Sequence, residues 1–189
     1  MSRKEVTFRL VGIAPLIVHN GQTADPLNPF AIRLKEVSKK RVKTLEDYER
    51  MDRIEFEAGL YMNADGPYIP ADNIDSMLLN AAKKLREGPA AKAGLIARDM
   101  RLEYAGPRDV QGLWEEVPRR YKVAVVVRGA KVMRMRPLFR EWSGSVTLEF
   151  EATLVNLSQL SEWMNVAGTQ IGLGDRRPRY GRFEASIVK

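Results

Sequence analysis

The sequence of 189 residues contains no cysteine. That excludes disulfides, thiolate metal sites and a cysteine nucleophile, and it fits a cytoplasmic protein. No stretch approaches the ~20 apolar residues of a membrane-spanning helix, so no membrane partner is expected. The opening MSRKEVTFRLVG starts basic but alternates instead of forming the apolar centre of a signal sequence. Histidine occurs once, as His19. No H-x-x-x-H, D-x-D or phosphate-cradling P-loop occurs, so neither a metal nor another cofactor is expected. Asp25, Asp65, Asp72 and Asp75 fall near turns or helix starts, where carboxylates commonly cap. There is no internal repeat and no low-complexity segment.

What is present is positive charge, unevenly placed. Net charge is +7, with a sequence pI of about 9.7, which suits an acidic partner. Residues 119–140 carry Arg119, Arg120, Lys122, Arg128, Lys131, Arg134, Arg136 and Arg140 without one acid. Acids gather instead around residues 46–57. Such segregation is better explained by a binding surface than by general solubility.

Periodicity orders the chain. Val6, Phe8, Leu10 and Gly12 alternate as a first strand, and a Pro/Gly/Asn/Asp-rich loop follows. A basic helical piece spans about 30–43. Thr44 then caps a helix whose stripe is Leu45, Tyr48, Met51, Ile54, Ala58 and Tyr61. Its acidic side reads as a solvated face. Asp72 is the expected cap of the next helix, which buries Ile74, Leu78, Ala81 and Leu85. Residues 100–104 and the VAVVV run within 122–127 are competing second strands. Arg128–Lys131 could turn the chain back, with Met133 and Met135 on one face and Arg134 and Arg136 on the other. Val146, Leu148, Phe150, Ala152 and Leu154 form the cleanest strand. Asn156 and Gln159 form a capping box for a helix with the stripe Leu157, Leu160, Met164, Ala167 and Ile171. The last strand runs through Phe183, Ala185 and Ile187. The expected fold is α+β: a ferredoxin-like, RNA-recognition-motif-like β-α-β-β-α-β core with a helical insertion and a projecting basic β-hairpin. One domain spans 1–189, with the insertion at about 29–63 and the hairpin at about 119–140.

The densest chemistry lies in residues 172–184, GLGDRRPRYGRFE. Gly172, Gly174 and Gly181 permit tight turns and close approach. Arg176, Arg177, Arg179 and Arg182 offer planar forks that match phosphate oxygens. Glycine also terminates helices, but four arginines exceed what termination needs. Tyr180 is a candidate for base stacking, with packing beneath the loop as its alternative. Trp142, beside Arg140, carries the same two readings. Outward Glu149 and Glu151 on the clean strand would repel phosphates, directing nucleic acid to the loop and hairpin rather than across the sheet.

At this loop the chain resembles the RAMP superfamily of CRISPR-associated RNA-binding proteins. The matching residues are Ile171-Gly172-Leu173-Gly174 followed by Tyr180-Gly181-Arg182-Phe183. Tyr68-Ile69-Pro70-Ala71-Asp72-Asn73-Ile74 is similar to the turn before the first helix of CRISPR backbone subunits, although Asp72 and Asp75 stand where small or basic residues are usual. The resemblance implies a ferredoxin-like fold, a glycine-rich loop between last helix and last strand, and a hairpin thumb containing Lys131, Arg134 and Arg136. It also implies subunits lined head to tail along a strand, as an oligomer or filament, and CRISPR-type protein partners. A stand-alone viral or mobile-element relative is equally compatible.

The resulting expectation is non-catalytic binding of single-stranded RNA or DNA, with RNA favoured. Two alternatives remain: a metal-independent endoribonuclease using His19, and a CRISPR-subunit-mimicking protein-interaction module.

Overall fold

A computed structural model describes residues 3–127 and 129–188. Arg128, assigned above to the hairpin turn, lies outside the described residues. In chain order the structure runs β1 (Arg3–Gly12), β2 (Leu16–Ile17), α1 (Pro29–Ser38), α2 (Leu45–Gly59), β3 (Met62–Asn63), β4 (Gly66–Ile69), α3 (Ala71–Lys84), α4 (Gly88–Gly94), β5 (Leu95–Ala97) and β6 (Met100–Arg101). It continues through α5 (Val110–Glu115), β7 (Arg120–Val127), β8 (Ala130–Phe139), β9 (Ser143–Glu151), α6 (Leu157–Val166) and β10 (Phe183–Ile187). These elements form two compact units. The first comprises the described parts of Met1–Ile17, Met62–Ala105 and Phe139–Lys189; the second comprises Val18–Tyr61 and Gly106–Leu138.

The first unit contains the ferredoxin-like core. Its sheet has the order β10-β1-β9-β5, with antiparallel neighbours throughout. Alternation decides which face is covered, because successive strand residues point to opposite sides. Phe8 and Leu10 of β1 and Val146, Leu148 and Phe150 of β9 are buried. Helix α3 adds Ile74, Met77, Leu78, Ala81 and Ala82, and α6 adds Leu160, Trp163, Met164 and Val166. The expected capping box opens α6: Asn156 Oδ1 accepts from the Gln159 N–H, and Gln159 Oε1 accepts from the Asn156 N–H, both at 3.0 Å. Leu157 stays exposed, so the buried stripe begins at Leu160.

Three expectations for this unit need correction. The second strand of the core is β5, not residues 100–104 or 122–127. Ala97 pairs with Leu148 of β9, whereas β6 pairs with β4 and β7 pairs with β8. Three residues are too few to display a legible period. Asp72 does not cap α3: Pro70 occupies the cap position. The Ala71 N–H instead donates to Asp99 Oδ1 at 2.8 Å. Asp75 Oδ1 accepts from the Ala97 N–H, also at 2.8 Å, and burial pushes the Asp75 carboxyl above its ordinary value despite that bond. On the closing strand only Phe183 is buried, because Ala185 and Ile187 lie on a sheet edge.

In the second unit, Thr44 caps α2 as expected, within a reciprocal box made with Asp47. Lys40 Nζ reaches Asp47 Oδ1 at 2.5 Å. Phe56 meets Trp114 edge-on with ring centroids 5.4 Å apart. The stripe read for α2 holds at Ile54 and Ala58, but Leu45 and Tyr48 are exposed. Two acids, Asp47 and Glu55, are buried on this helix in their place. The hairpin is regular, pairing Arg120 with Pro137 through to Val127 with Ala130.

Glu87 ties the start of α4 to α6. Gln159 Nε2 donates to Glu87 Oε1 at 2.9 Å, and Trp163 Nε1 donates to Oε2. These donors hold the Glu87 carboxyl below its ordinary value of 4.5. A depressed carboxyl contributes stability above its ordinary value, and that stability is lost as pH falls through the lowered one. Glu87→Gln should therefore flatten the decline in thermal midpoint below about pH 4.5. Identical acid limbs for the wild type and this variant would contradict the assignment.

Candidate nucleic-acid interface

The glycine-arginine loop belongs to the first unit, and its backbone is committed to that unit's own chain. The Gly181 N–H donates to Pro15 O at 2.8 Å, the Asp175 N–H to Ile17 O at 2.7 Å, and the Leu173 N–H to Gly181 O at 2.9 Å. The Ile13 and Ala14 N–H groups both donate to Arg182 O, at 2.9 and 3.2 Å. Such approach has a steric requirement. A Cβ on Gly181 would lie 1.8 Å from Leu173 O, and one on Gly174 would lie 2.3 Å from Ile17 O. Both residues also have positive φ, +72° and +78°, where L side chains are strained. The glycines thus serve close packing within the protein.

The arginines are turned the other way. Arg176, Arg177, Arg179 and Arg182 are all exposed, and none forms an ion pair among the described residues. Arg176 itself has a φ of 57°, and the Tyr180 N–H closes the turn onto Arg176 O at 3.3 Å. Tyr180 is half-buried at its base. Arg140 is exposed elsewhere in the same unit.

Trp142 does not present a stacking face. It is 3% exposed, its Nε1 donates to Ala14 O at 2.9 Å, and its ring lies edge-on to Phe183 at 6.1 Å. Its indole occupies the space beside Gly12 that a Cβ would need. It is a packing residue.

The outward sheet face also differs from expectation. Glu149 accepts from Arg98 Nε at 3.0 Å and from Arg98 Nη2 at 2.8 Å, and Arg98 also engages Glu5. Arg9 pairs with Glu103 at 2.7 Å. Thr7 and Thr147 share a hydroxyl hydrogen bond of 3.0 Å. Local pairing thus cancels much of the charge on this face, and repulsion by Glu149 is compensated by Arg98 rather than directed at a ligand.

The predicted hairpin residues divide by role. Lys131 is exposed. Arg134 is tied by Nη1 to Glu55 Oε1 at 2.8 Å, while Glu55 Oε2 accepts from the Met135 N–H, also at 2.8 Å. Arg136 Nη1 donates to Met135 O at 3.0 Å. Arg134 and Arg136 line a pocket of about 200 Å³ together with His19, Asn20, Thr23 and Glu55. Glu55 was not singled out from the sequence, although Met51, Glu55 and Ala58 share the spacing of one helix face. Among the described residues no group of acids and histidines could hold a metal ion. No helix among them is long and apolar enough to cross a membrane.

No protein-family model matches the chain, and no curated protein matches its sequence. Among solved structures, its fold is similar to a chain in a cryo-EM structure of the Type III-B Cmr-beta bound to cognate target RNA. The TM-score is 0.57 at 10% sequence identity, and the match covers 99% of this chain. It covers 61% of the other chain, so this protein spans less than two thirds of that relative's length. The likeness is one of fold.

Two substitutions test this geometry. Gly181→Ala should destabilise by about 2–4 kcal/mol in denaturant unfolding, combining left-handed strain with overpacking. Glu55→Ala should cost about 2–3 kcal/mol, below the ~3–5 of a fully buried pair because Arg134 retains some solvent. Adding Arg134→Met should recover part of that loss. Strict additivity in the double-mutant cycle would show the pair to be uncoupled.

Proposed function

We propose that the protein binds single-stranded nucleic acid, RNA in preference to DNA, without cleaving it. The observation that carries this reading is the exposed set Arg176, Arg177, Arg179 and Arg182, free of ion pairs among the described residues and mounted on a turn with fixed backbone. Guanidinium groups held apart from carboxylates can spend their N–H forks on phosphate oxygens. Gly172, Gly174 and Gly181 set the loop's path, and Tyr180 at its base is the aromatic available for stacking. Within the first unit Arg140 is a secondary phosphate contact, and in the second unit Lys131 is a separate one; Arg136 lines the pocket with Glu55. Arg134 and Trp142 are not included, because one is matched by Glu55 and the other is buried.

The preference for RNA leans on the RNA-bound state of the structure whose fold this chain shares. On the same footing, the protein is read as a RAMP-superfamily relative that self-associates head to tail and works in the cytoplasm with CRISPR-type protein partners. Heterologous contacts of that kind form open filaments when the rotation does not close. The endoribonuclease alternative has less support. Glu55, the carboxylate sharing a pocket with His19, is engaged by Arg134 and the Met135 N–H.

Replacing Arg176, Arg177 and Arg179 together with Gln should reduce the slope of log affinity against log salt by about 2, at ~0.7 per contacted phosphate of a single strand. RNA affinity at moderate salt should fall at least tenfold. An unchanged slope and affinity, measured by fluorescence anisotropy with a labelled oligoribonucleotide, would remove the loop from the binding site.

A further inference from the structure

We propose that the pocket in the second unit is a phosphate-binding site for a terminal phosphate monoester. It is distinct from the arginine loop and does not depend on the strand-binding reading. Its volume is about 200 Å³. That lies below the roughly 300–1,000 Å³ of pockets for drug-sized ligands. A phosphate with the carbon bearing it suits this space better than a whole nucleotide does. A recess of this size admits a chain end, whereas a phosphodiester within a strand needs passage on both sides.

The lining selects an anion. Arg134 and Arg136 contribute two guanidinium groups against the single carboxylate of Glu55. That carboxylate is turned toward protein donors: Oε1 toward Arg134 and Oε2 toward the Met135 N–H. Within the lining two guanidinium groups thus face one carboxylate, and planar guanidinium forks match phosphate geometry. The His19 ring and the Thr23 hydroxyl add directional hydrogen-bonding groups. Leu34 and Ala58 supply apolar surface for the ester carbon.

The recess is held in shape before any ligand arrives. The segment bearing His19 and Thr23 is strapped across the C-terminal end of α2. The Asn20 N–H donates to Gly59 O at 2.9 Å, Gln22 Nε2 to Ala58 O at 2.9 Å, and Tyr61 Oη to His19 O at 3.1 Å. Carbonyls at a helix C-terminus would otherwise repel an anion. Here two of them are occupied by donors from the strap.

His19 is the sole histidine, so its ring resonances are an unambiguous probe. Inorganic phosphate, titrated into the full chain at fixed pH and ionic strength, should shift them saturably, while chloride should not. Arg136→Met should weaken the apparent affinity at least tenfold, and Arg41→Gln, a charge-matched control outside the pocket, should leave it unchanged. Thr23→Val, expected to weaken it several-fold, carries the test if Arg136→Met does not fold. No saturable shift, an equal response to chloride, or wild-type affinity in the folded pocket variants would overturn the proposal. A second arm compares 5′-phosphorylated and 5′-hydroxyl forms of one oligoribonucleotide. Tenfold tighter binding of the phosphorylated form assigns the site to strand ends. Equal binding, with inorganic phosphate still saturating, assigns it to a small phosphorylated molecule.

Discussion

Main-chain hydrogen bonds between residues 13–17 and the loop before β10 are the constraint on which the first unit's closing geometry rests. Ile13 and Ala14 are joined to Arg182, Pro15 to Gly181, and Ile17 to Asp175. A backbone pair at such range leaves no place for Cβ atoms, so glycine is needed at positions 174 and 181. Once these bonds form, β10 enters alongside β1, with Phe183 opposite Gly12 in the register. Phe183 can then pack edge-on to Trp142, while the intervening arginines are left outside.

Charge in this protein has to be read residue by residue. The net charge of +7 suggests a broadly cationic surface, yet many arginines are matched locally. Arg98 is held by Glu149 and Glu5, Arg9 by Glu103, Arg119 by Glu116 and Arg134 by Glu55. Arg119 and Arg134 both come from the acid-free run that looked most like a continuous basic surface. Acids remote in sequence or just upstream of the run neutralise them. The exposed pairs among them, Arg98 with Glu5 and Arg9 with Glu103, contribute little to stability, but every pair decides which cations remain available to a ligand.

The long periodic elements were legible in the sequence because their burial repeats over several turns or pleats. This holds for β1, β9, α3 and α6, for the Thr44 cap and for the capping box at Asn156. The core's second strand was not legible: Leu95–Ala97 is too short to show a period and depends on pairing with β9. Asp99 capping of α3 is equally hidden, since donor and acceptor are 28 residues apart. At the candidate site, the exposed arginine cluster was readable from composition. The burial of Trp142 was not, because it depends on the space beside Gly12, which only the folded sheet defines. Glu55 was obscured by its acidic neighbours, although its helical position beside apolar residues carried the signal.

The division of labour in the loop bears on how this protein can change over generations. Glycines and main-chain bonds maintain the loop's path, while the guanidinium groups of Arg176, Arg177, Arg179 and Arg182 extend from it without ion-pair partners among the described residues. Exposed side chains without such partners can usually be exchanged at little energetic cost. Selection can therefore redraw the number and spacing of positive charges at the tip while the scaffold stays nearly untouched. The charge at the loop's tip can in this sense change faster than the fold beneath it.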